Sequence, residues 1–470
     1  MATALPHRWL QHRAVGSTDD TGGVRARAAA GLARSVGQLS RTLRAGAGTT
    51  LPGRIVDRLD PRFVRRRSAA LAGKAIVISG TNGKTTTASM IQTILRSQGV
   101  RFVANRSGAN LRSGIASALL EASPDALVGV FEIDEAALPG LVPDLRPGLL
   151  VLTNVFRDQL DRFAEPERVA ALLRAAARAL PSDSTIVANA DDAQLWHALK
   201  GLDPVGFSVE ADHEDEAAAA DAEPETCPEC GGPLRFSRRT MANLGSARCD
   251  ACGWRSSPAQ FRARLLAQAG LQAQIIEIEG ELLTLPLGGL HDAYNAVAAV
   301  AAASALGIPV YEAISALEDF HPRFGRAEEL EFEGRSLWLA LAKNPAGAGA
   351  VIREVCADER VGAVIAAISD RHADGRDVSW IWDADFEHVV ERGIPIVPAG
   401  SRALDTAVRI KYAGAEPLPA ESDPAAALRA AVNACEPGKI VAVLATYTAM
   451  LDLREVVVGN RAGRVEDDAT

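Results

Sequence analysis

The sequence is poor in aromatic residues, lysine and cysteine, and it carries no excess of positive charge. Aromatics are 5% of its 470 residues, so the cores must be built from Ala, Val, Leu and Ile. That scarcity argues against stacking platforms for single-stranded nucleic acid. A net charge of −9 argues against a general DNA or RNA binder, which needs a basic surface. No strongly apolar run reaches the roughly 18 residues of a membrane span, and the Ala-rich run Ala296–Leu306 is too short and too weakly apolar. Six cysteines in a chain of this length are no disulfide scaffold. Four of them form two close pairs, which suits a reducing compartment and one metal site. Only Lys74, Lys84, Lys200, Lys343, Lys411 and Lys439 are lysines, against 44 arginines, so a lysine inside a motif is more informative than usual.

What remains is an ordinary globular composition, 48% apolar and 23% charged. At about 150 residues per domain it predicts two to four domains. Residues 1–50 hold seven Arg and only Asp19 and Asp20 as acids. Their first twenty or so residues read as disordered. Val24–Leu43 reads as a basic, partly amphipathic helix resting on the protein or on an anionic membrane surface. A long apolar segment is missing there, so a secretory signal is not expected, although a transit peptide has a similar composition.

From Lys74 the pattern changes. Ala75–Ser79 reads as a buried parallel strand, and Thr85–Gln98 has apolar residues at helical spacing. Strands are expected at Ala126–Ile133, Leu149–Val155 and Thr185–Ala188, with a helix at Glu165–Leu180. Strands alternating with helices predict a parallel, doubly wound α/β sheet. Ala211–Glu225 is acidic, Ala-rich and without periodicity, hence a solvated linker, and the α/β pattern resumes near Gln274. A second α/β unit starts near Ser336. Its expected strands are Ser336–Ala342, Val361–Ile368, Ile394–Pro398 and Ile440–Ala445, and its expected helices Ala346–Cys356 and Arg402–Lys411.

Ser79-Gly-Thr-Asn-Gly-Lys-Thr-Thr-Thr87 joins the first strand to the first helix. Gly80 and Gly83 allow backbone N–H groups to turn toward a phosphate, and the helix adds the positive end of its dipole. Lys84 can reach the β- and γ-phosphates, and Thr85 can offer its hydroxyl to Mg²⁺. A plain glycine turn before a helix needs neither the lysine nor the threonine. Cys227-Pro-Glu-Cys230 and Cys249-Asp-Ala-Cys252 are separated by 18 residues, the spacing of a zinc ribbon at about 222–258. Four thiolates leave no position for a reacting water, so the expected Zn²⁺ is structural. Cys356 and Cys435 have no glycine elbow around them and read as packing residues.

The wording GTNGKTTT resembles the nucleotide loop of the Mur ligase superfamily, which includes folylpolyglutamate synthetase. The resemblance implies that ATP phosphorylates a carboxylate and that an amine then attacks the acyl phosphate. It places Gly80, Thr81, Asn82, Gly83, Lys84, Thr85 and Thr86 around the nucleotide. Glu132, in Phe-Glu-Ile-Asp-Glu135, falls where the superfamily has a Mg²⁺-binding glutamate, and Asn154 falls in its Thr-Asn pair. Asn295, in His291-Asp-Ala-Tyr-Asn295, matches a nucleotide-contacting helix in which Asp292 replaces the usual Asn. Arg326, in Phe324-Gly-Arg326, matches the arginine motif before the last domain. Two departures stand out. Only about 75 residues precede the loop, too few for the usual nucleotide-sugar domain. The last domain opens with Ala340-Leu-Ala-Lys343-Asn344-Pro345, so Lys343 and Asn344 take the place of a His-Asn pair toward the substrate.

A Mur-like core with a four-Cys ribbon, followed by the Lys343-Asn344-Pro345 domain and Ser369-Asp370-Arg-His-Ala-Asp374-Gly-Arg-Asp377-Val-Ser-Trp, resembles the MurT family, the ligase subunits of lipid II isoglutaminyl synthase. The likeness runs from about residue 27 to the end. It implies a partner, a class I glutaminase of the GatD kind that supplies ammonia, and a substrate, the α-carboxyl of D-glutamate in lipid II. It also implies a cytoplasmic location, peripheral at the inner face of the membrane. By this resemblance Asp377 completes the Cys–His arrangement of the glutaminase, with Asp374 and Asp370 as alternatives. Read from its own neighbours, Asp377 is a helix cap for a helix starting near Ser379. The expected architecture is a basic extension over 1–50, a Mur-ligase-like P-loop ATPase domain over 51–330 with the ribbon inserted, and a smaller Rossmann-like α/β domain over 331–470 that contacts the glutaminase. Competing readings are a folylpolyglutamate-type amino-acid ligase without a partner, and an ATP-binding zinc-ribbon scaffold that forms no acyl phosphate.

Overall fold

The computed structural model describes residues 50–71, 73–106, 108–157, 166–211, 226–321 and 327–459. The basic helix expected at Val24–Leu43, the acidic linker beyond Ala211 and the motif residue Arg326 lie outside the described residues. The elements are α1 (Leu51–Leu59), α2 (Phe63–Ala69), β1 (Ile76–Ser79), α3 (Lys84–Ser97), β2 (Phe102–Ala104), α4 (Arg112–Glu121), β3 (Val128–Glu132), α5 (Leu138–Leu145), β4 (Leu149–Leu152), α6 (Pro166–Arg178), β5 (Thr185–Asn189), α7 (Ala193–Ala198) and β6 (Val205–Ala211). There follow β7 (Leu234–Met241), β8 (Leu244–Cys249), β9 (Phe261–Ala269), β10 (Ala273–Ile278), β11 (Glu281–Leu285), α8 (Leu290–Ala305) and α9 (Val310–Glu318). The last part contains β12 (Glu328–Phe332), β13 (Arg335–Leu341), α10 (Pro345–Ala357), β14 (Val361–Ala367), α11 (Phe386–Glu391), β15 (Ile396–Ala399), α12 (Ala403–Tyr412), α13 (Pro424–Ala434), β16 (Ile440–Ala445) and α14 (Tyr447–Val458).

Nine strands form the first sheet in the order β11-β10-β9-β6-β5-β4-β1-β3-β2. Every neighbouring pair from β2 to β9 is parallel, and β9, β10 and β11 form an antiparallel edge. A strand buried on both faces reads as an unbroken apolar run, and β1 shows why. Ile76 and Ile78 enter the core under α3 and α8, whereas Val77 enters the core under α1, α4 and α5. The chain leaves β1 and returns on both sides of it, as β3 and as β4, so β1 marks the switch point of the sheet. Open α/β sheets bind ligands beyond the carboxyl ends of the strands at such a point. The nucleotide loop follows β1, Glu132 ends β3, and Thr153-Asn154 follows β4.

The parallel strands and flanking helices lie within a few residues of the expected spans. The antiparallel edge was not anticipated: β9 begins at Phe261, well before the expected resumption near Gln274, and its arginines alternate outward. The paired cysteines sit in a separate two-stranded ribbon, β7–β8. A second sheet, β12-β13-β16-β14-β15, starts at Glu328 and is parallel apart from β12. The helix expected near Ser379 is a short 3₁₀ turn, Ser379–Trp382, and α13 and α14 complete the second layer. Among the described residues no helix is long and apolar enough to cross a membrane.

The short segment before β1 is bound into the first domain. Arg112 of α4 bonds Asp57 of α1 at 2.9 Å and Asp144 of α5 at 2.7 Å. Gly53 lets α1 press onto α4: its N–H donates to the Ser117 hydroxyl at 2.9 Å, and a Cβ there would lie 1.8 Å from the Ser113 carbonyl oxygen. Gly53→Ala is therefore expected to push α1 off α4 and destabilise the domain by about 1–3 kcal/mol. Thermal unfolding of the variant should show a midpoint lowered by several degrees, and an unchanged midpoint would mean that the two helices separate freely.

Candidate functional site

The loop after β1 is held by its neighbours. Gly80 and Gly83 have φ of +129° and +83°, and neither has room for a side chain. A Cβ on Gly80 would meet the Thr153 hydroxyl at 2.3 Å, and one on Gly83 would meet Asn295 Oδ1 at 2.1 Å. Asn154 closes the loop from below. Its carbonyl accepts from Thr81 N–H at 2.9 Å, its Oδ1 accepts from Asn82 N–H at 2.8 Å, and its Nδ2 donates to the Asn82 carbonyl at 3.2 Å. The Thr153 hydroxyl donates to the same carbonyl at 2.7 Å. Asn154 thus shapes the loop.

Gly83 ends the loop in the left-handed conformation, and α3 begins at Lys84. The Lys84 ammonium donates to the Gly80 carbonyl, to the Thr81 carbonyl at 3.2 Å, and to Glu135 Oε1 at 2.9 Å. Glu135 is buried, and its role was not visible in the sequence, where it is one of three acids in a row of five residues. Beside this pair, the Thr85 hydroxyl donates to Glu132 Oε2 at 2.6 Å. A hydroxyl and a carboxylate at that separation are the hard oxygen donors that Mg²⁺ takes. Thr86 is buried and lines the cavity above.

That cavity, about 980 Å³, lies between the two sheets. Its floor is the loop with Glu132 and Asn295, and its far wall includes Lys343, His372, Arg376 and Tyr447. Asn295 on α8 accepts from the Thr87 hydroxyl at 3.2 Å and donates to Asp292 Oδ1 at 3.0 Å. Asn344 reaches across from the second domain. Its Nδ2 donates to Asn82 Oδ1 at 3.0 Å, and its Oδ1 accepts from Asn82 Nδ2 at 3.2 Å. The same Oδ1 caps α10 through Gly347 N–H at 2.8 Å. His372 and Arg376 lie inside the Ser369–Asp377 motif, which pointed to its aspartates, and the fold brings these two to the cavity.

The three aspartates of the loop after β14 differ in setting. Asp374 is buried and accepts from Thr448 N–H at 2.8 Å and from the Thr448 hydroxyl, anchoring the loop to the start of α14. Burial pushes its carboxyl above the ordinary value. Asp370 accepts from the Ser401 hydroxyl at 2.8 Å, which holds its carboxyl below the ordinary value. Asp377 is partly exposed and is held down by Ser379, whose N–H donates to it at 2.9 Å. It stands one residue before Val378, the N-cap of the 3₁₀ turn, so the expected cap position is off by one, and it does not line the cavity, whereas its neighbour Arg376 does.

The sulfurs of Cys227, Cys230, Cys249 and Cys252 all lie within 4.8 Å of one another, with Cys227–Cys252 and Cys230–Cys249 at 3.6 Å. Tetrahedral ligands at a Zn–S distance of about 2.3 Å stand roughly 3.8 Å apart, so the four thiols fit one such ion. Gly231 N–H bonds the Cys227 carbonyl at 2.8 Å and Gly253 N–H bonds the Cys249 carbonyl at 3.0 Å, the two knuckles of the ribbon. The Cys252 N–H is the largest influence on the Cys249 thiol and brings it down to about 7. Cys356 and Cys435 are buried packing residues.

Two family profiles match the chain: Mur ligase middle domain over residues 78–227, and MurT ligase C-terminal over residues 341–450. The chain is 33% identical to the lipid II isoglutaminyl synthase (glutamine-hydrolyzing) subunit MurT of Streptococcus pneumoniae, over 90% of this chain and 95% of that protein. It is 32% identical to the subunit of the same name from Staphylococcus aureus, over 80% and 86% of the two chains. Among solved structures it is similar in fold to a pseudomurein peptide ligase type C from Methanothermus fervidus, with a TM-score of 0.65 and 21% identity over 82% of this chain and 78% of that one. MurF ligase from Thermotoga maritima in complex with ADP gives a TM-score of 0.60 at 14% identity, covering 86% and 83%.

Lys84 is the cation nearest the phosphate-shaped loop, and Lys84→Met keeps its length without its charge. A charge-assisted hydrogen bond to phosphate contributes about 1.5–3 kcal/mol. Affinity for a non-hydrolysable ATP analogue is expected to fall by about ten- to a hundredfold while the unfolding midpoint holds. Calorimetry that found wild-type affinity would remove Lys84 from the nucleotide site.

Proposed function

The chain belongs to the MurT family, and from this premise we propose that it is the ATP-dependent ligase subunit of a lipid II isoglutaminyl synthase. The reaction converts the α-carboxyl of D-glutamate in the lipid II stem peptide to the amide of D-isoglutamine. The observation that carries the reading is the convergence of the nucleotide loop, the Thr85–Glu132 pair and Lys343 of the second domain on one cavity. The MurT-type C-terminal domain favours it over a folylpolyglutamate-type ligase and over a scaffold that only binds ATP.

Joining a carboxylate to ammonia is uphill, so the carboxylate must first be activated. The loop N–H groups and the start of α3 receive the ATP phosphates. Lys84 exchanges Glu135 and the loop carbonyls for phosphate oxygens and stabilises the charge that develops on the transferred group. Thr85 and Glu132 would hold Mg²⁺, which supplies further neutralisation of that charge when bound. A carboxylate oxygen of the acceptor attacks the γ-phosphorus and ADP leaves. Ammonia then attacks the acyl carbon, loses a proton, and expels phosphate. Lys343 lines the far wall of the cavity, which supports a role in holding the acceptor, and Asn154 and Asn295 act through the loop they brace. Arg326 keeps its proposed nucleotide role from the motif alone.

The ammonia source is a class I glutaminase of the GatD kind. Asp377, outside the cavity and partly exposed, is free to orient a histidine in that partner, as a third group does in hydrolytic triads. Asp377→Asn is expected to cut glutamine hydrolysis by orders of magnitude in the complex, with ATP affinity and assembly kept and amidation partly restored by concentrated ammonium. A cap that only steadies the 3₁₀ turn predicts otherwise: about 1 kcal/mol of stability lost, and glutamine- and ammonium-driven amidation falling together. Full glutaminase activity in the variant would end the trans-acting assignment.

The four thiolates would hold one structural Zn²⁺, which cross-links the ribbon and leaves no open position for chemistry. Metal analysis should find one zinc per chain, and Cys249→Ser should lose it together with several degrees of thermal stability. A zinc-free variant with unchanged stability would contradict a structural role.

A further inference from the structure

The two domains meet at a buried carboxylate. Glu354, on α10 of the second domain, is 4% exposed, and its Oε1 lies 2.7 Å from His291 Nδ1 at the start of α8 in the first domain. It enters a notch kept open by Gly289, where a Cβ would lie 1.8 Å from the same oxygen. Gly289 has φ of +95° and its carbonyl accepts from Gln274 Nε2 at 2.9 Å, so the notch is fixed by the first sheet. Burial pushes the Glu354 carboxyl above its ordinary value and the His291 ring draws it back. Docking takes this acid out of water, and His291 beside it offsets part of that cost.

The contact continues inward. His291 Nε2 is 3.5 Å from Asp292 Oδ2, Asp292 Oδ1 accepts from Asn295 Nδ2 at 3.0 Å, and Asn295 Oδ1 accepts from Thr87 and sits against Gly83. A continuous polar chain therefore runs Glu354–His291–Asp292–Asn295 and ends on the nucleotide loop. We propose that Glu354 and His291 are positioning residues for the ligase reaction: docking of the second domain, sensed by Glu354, fixes Asn295 against the nucleotide loop. The proposal rests on the loop being the ATP site. Asn295 is held directly by Thr87 and Asp292, and His291 and Glu354 set the position of Asp292.

The test is ammonium-driven amidation by the full chain with its glutaminase partner, with KM for ATP and kcat measured separately. Glu354→Gln and His291→Gln, each close to isosteric, are expected to raise KM for ATP about tenfold. The double variant should be no worse than either single. Asn295→Ala should give at least as large an effect and should make Glu354→Gln silent in its background. Glu354→Asp, which keeps the charge, should recover part of the loss. If Glu354→Gln fails to fold, His291→Gln carries the test alone, because that side chain is 35% exposed. Unchanged KM in both single variants, or effects that add in the Asn295→Ala background, would overturn the proposal, since a pair that merely glues the domains predicts independence from Asn295. Lys84→Met is the control: wild-type ATP use there would defeat the nucleotide reading itself, whereas its loss beside silent Glu354→Gln and His291→Gln would defeat only the relay.

Discussion

A loop that offers its N–H groups to phosphate must keep its own carbonyls and side chains occupied elsewhere, and the architecture around Gly80–Lys84 is built to meet that demand. The loop has no room for a side chain at Gly80 or Gly83 and makes no hydrogen-bonded element of its own. Thr153 and Asn154 satisfy its underside, Asn295 closes its end, and Asn344 pairs with Asn82 across the domain boundary. Buried polar groups are costly when left unmade and add specificity when fully satisfied. The partners come from β4, α8 and the second domain, so the shape of the loop depends on how those three are assembled.

The same requirement governs charge. Lys84 would be a buried, unpaired cation if it simply waited for ATP. Glu135 and two loop carbonyls hold it. Glu132 is likewise occupied by the Thr85 hydroxyl. On the proposed reading both pairs would be exchanged when nucleotide and Mg²⁺ bind. Removing Glu135 alone would leave Lys84 to its carbonyls, the situation in which a broken buried ion pair becomes expensive.

The local features of this design were legible in the sequence. Ala75–Ser79 read as a buried strand, the GTNGKTTT wording pointed to a phosphate loop, and two Cys-x-x-Cys pairs implied a metal ribbon. What escaped was long-range. The strands β9–β11 lie on an edge where arginines alternate with small apolar residues, so their pattern competes with loop and helix readings. Glu135 and Glu354 are ordinary charged residues until the fold sets them beside Lys84 and His291. Asn154 lies beside the loop and faces its backbone, which spacing alone does not reveal. Asp377 illustrates the reverse limit: its bond to the Ser379 N–H follows from its local pattern, and a role in a partner's site is legible only by resemblance.

The cysteine ribbon connects to this same economy of buried polar groups. Its metal end is at the surface, with Cys230 and Cys252 exposed, but its hairpin end is not. Met241 and Leu244 enter the core shared by α3 and α8, Thr240 donates to the Val209 carbonyl at 3.1 Å, and Gly245 N–H donates to the Asp191 carbonyl at 2.9 Å. Asp191 is buried, and its Oδ2 accepts from Tyr294, the residue before Asn295, at 2.8 Å. A knuckle cross-linked by the proposed zinc would therefore restrain the opposite end of the ribbon, which packs against α8. The ribbon's hairpin end meets Asp191, Asp191 holds Tyr294, and Tyr294 precedes Asn295, so on the proposed reading the ribbon would steady the turn of α8 from which Asn295 reaches the loop.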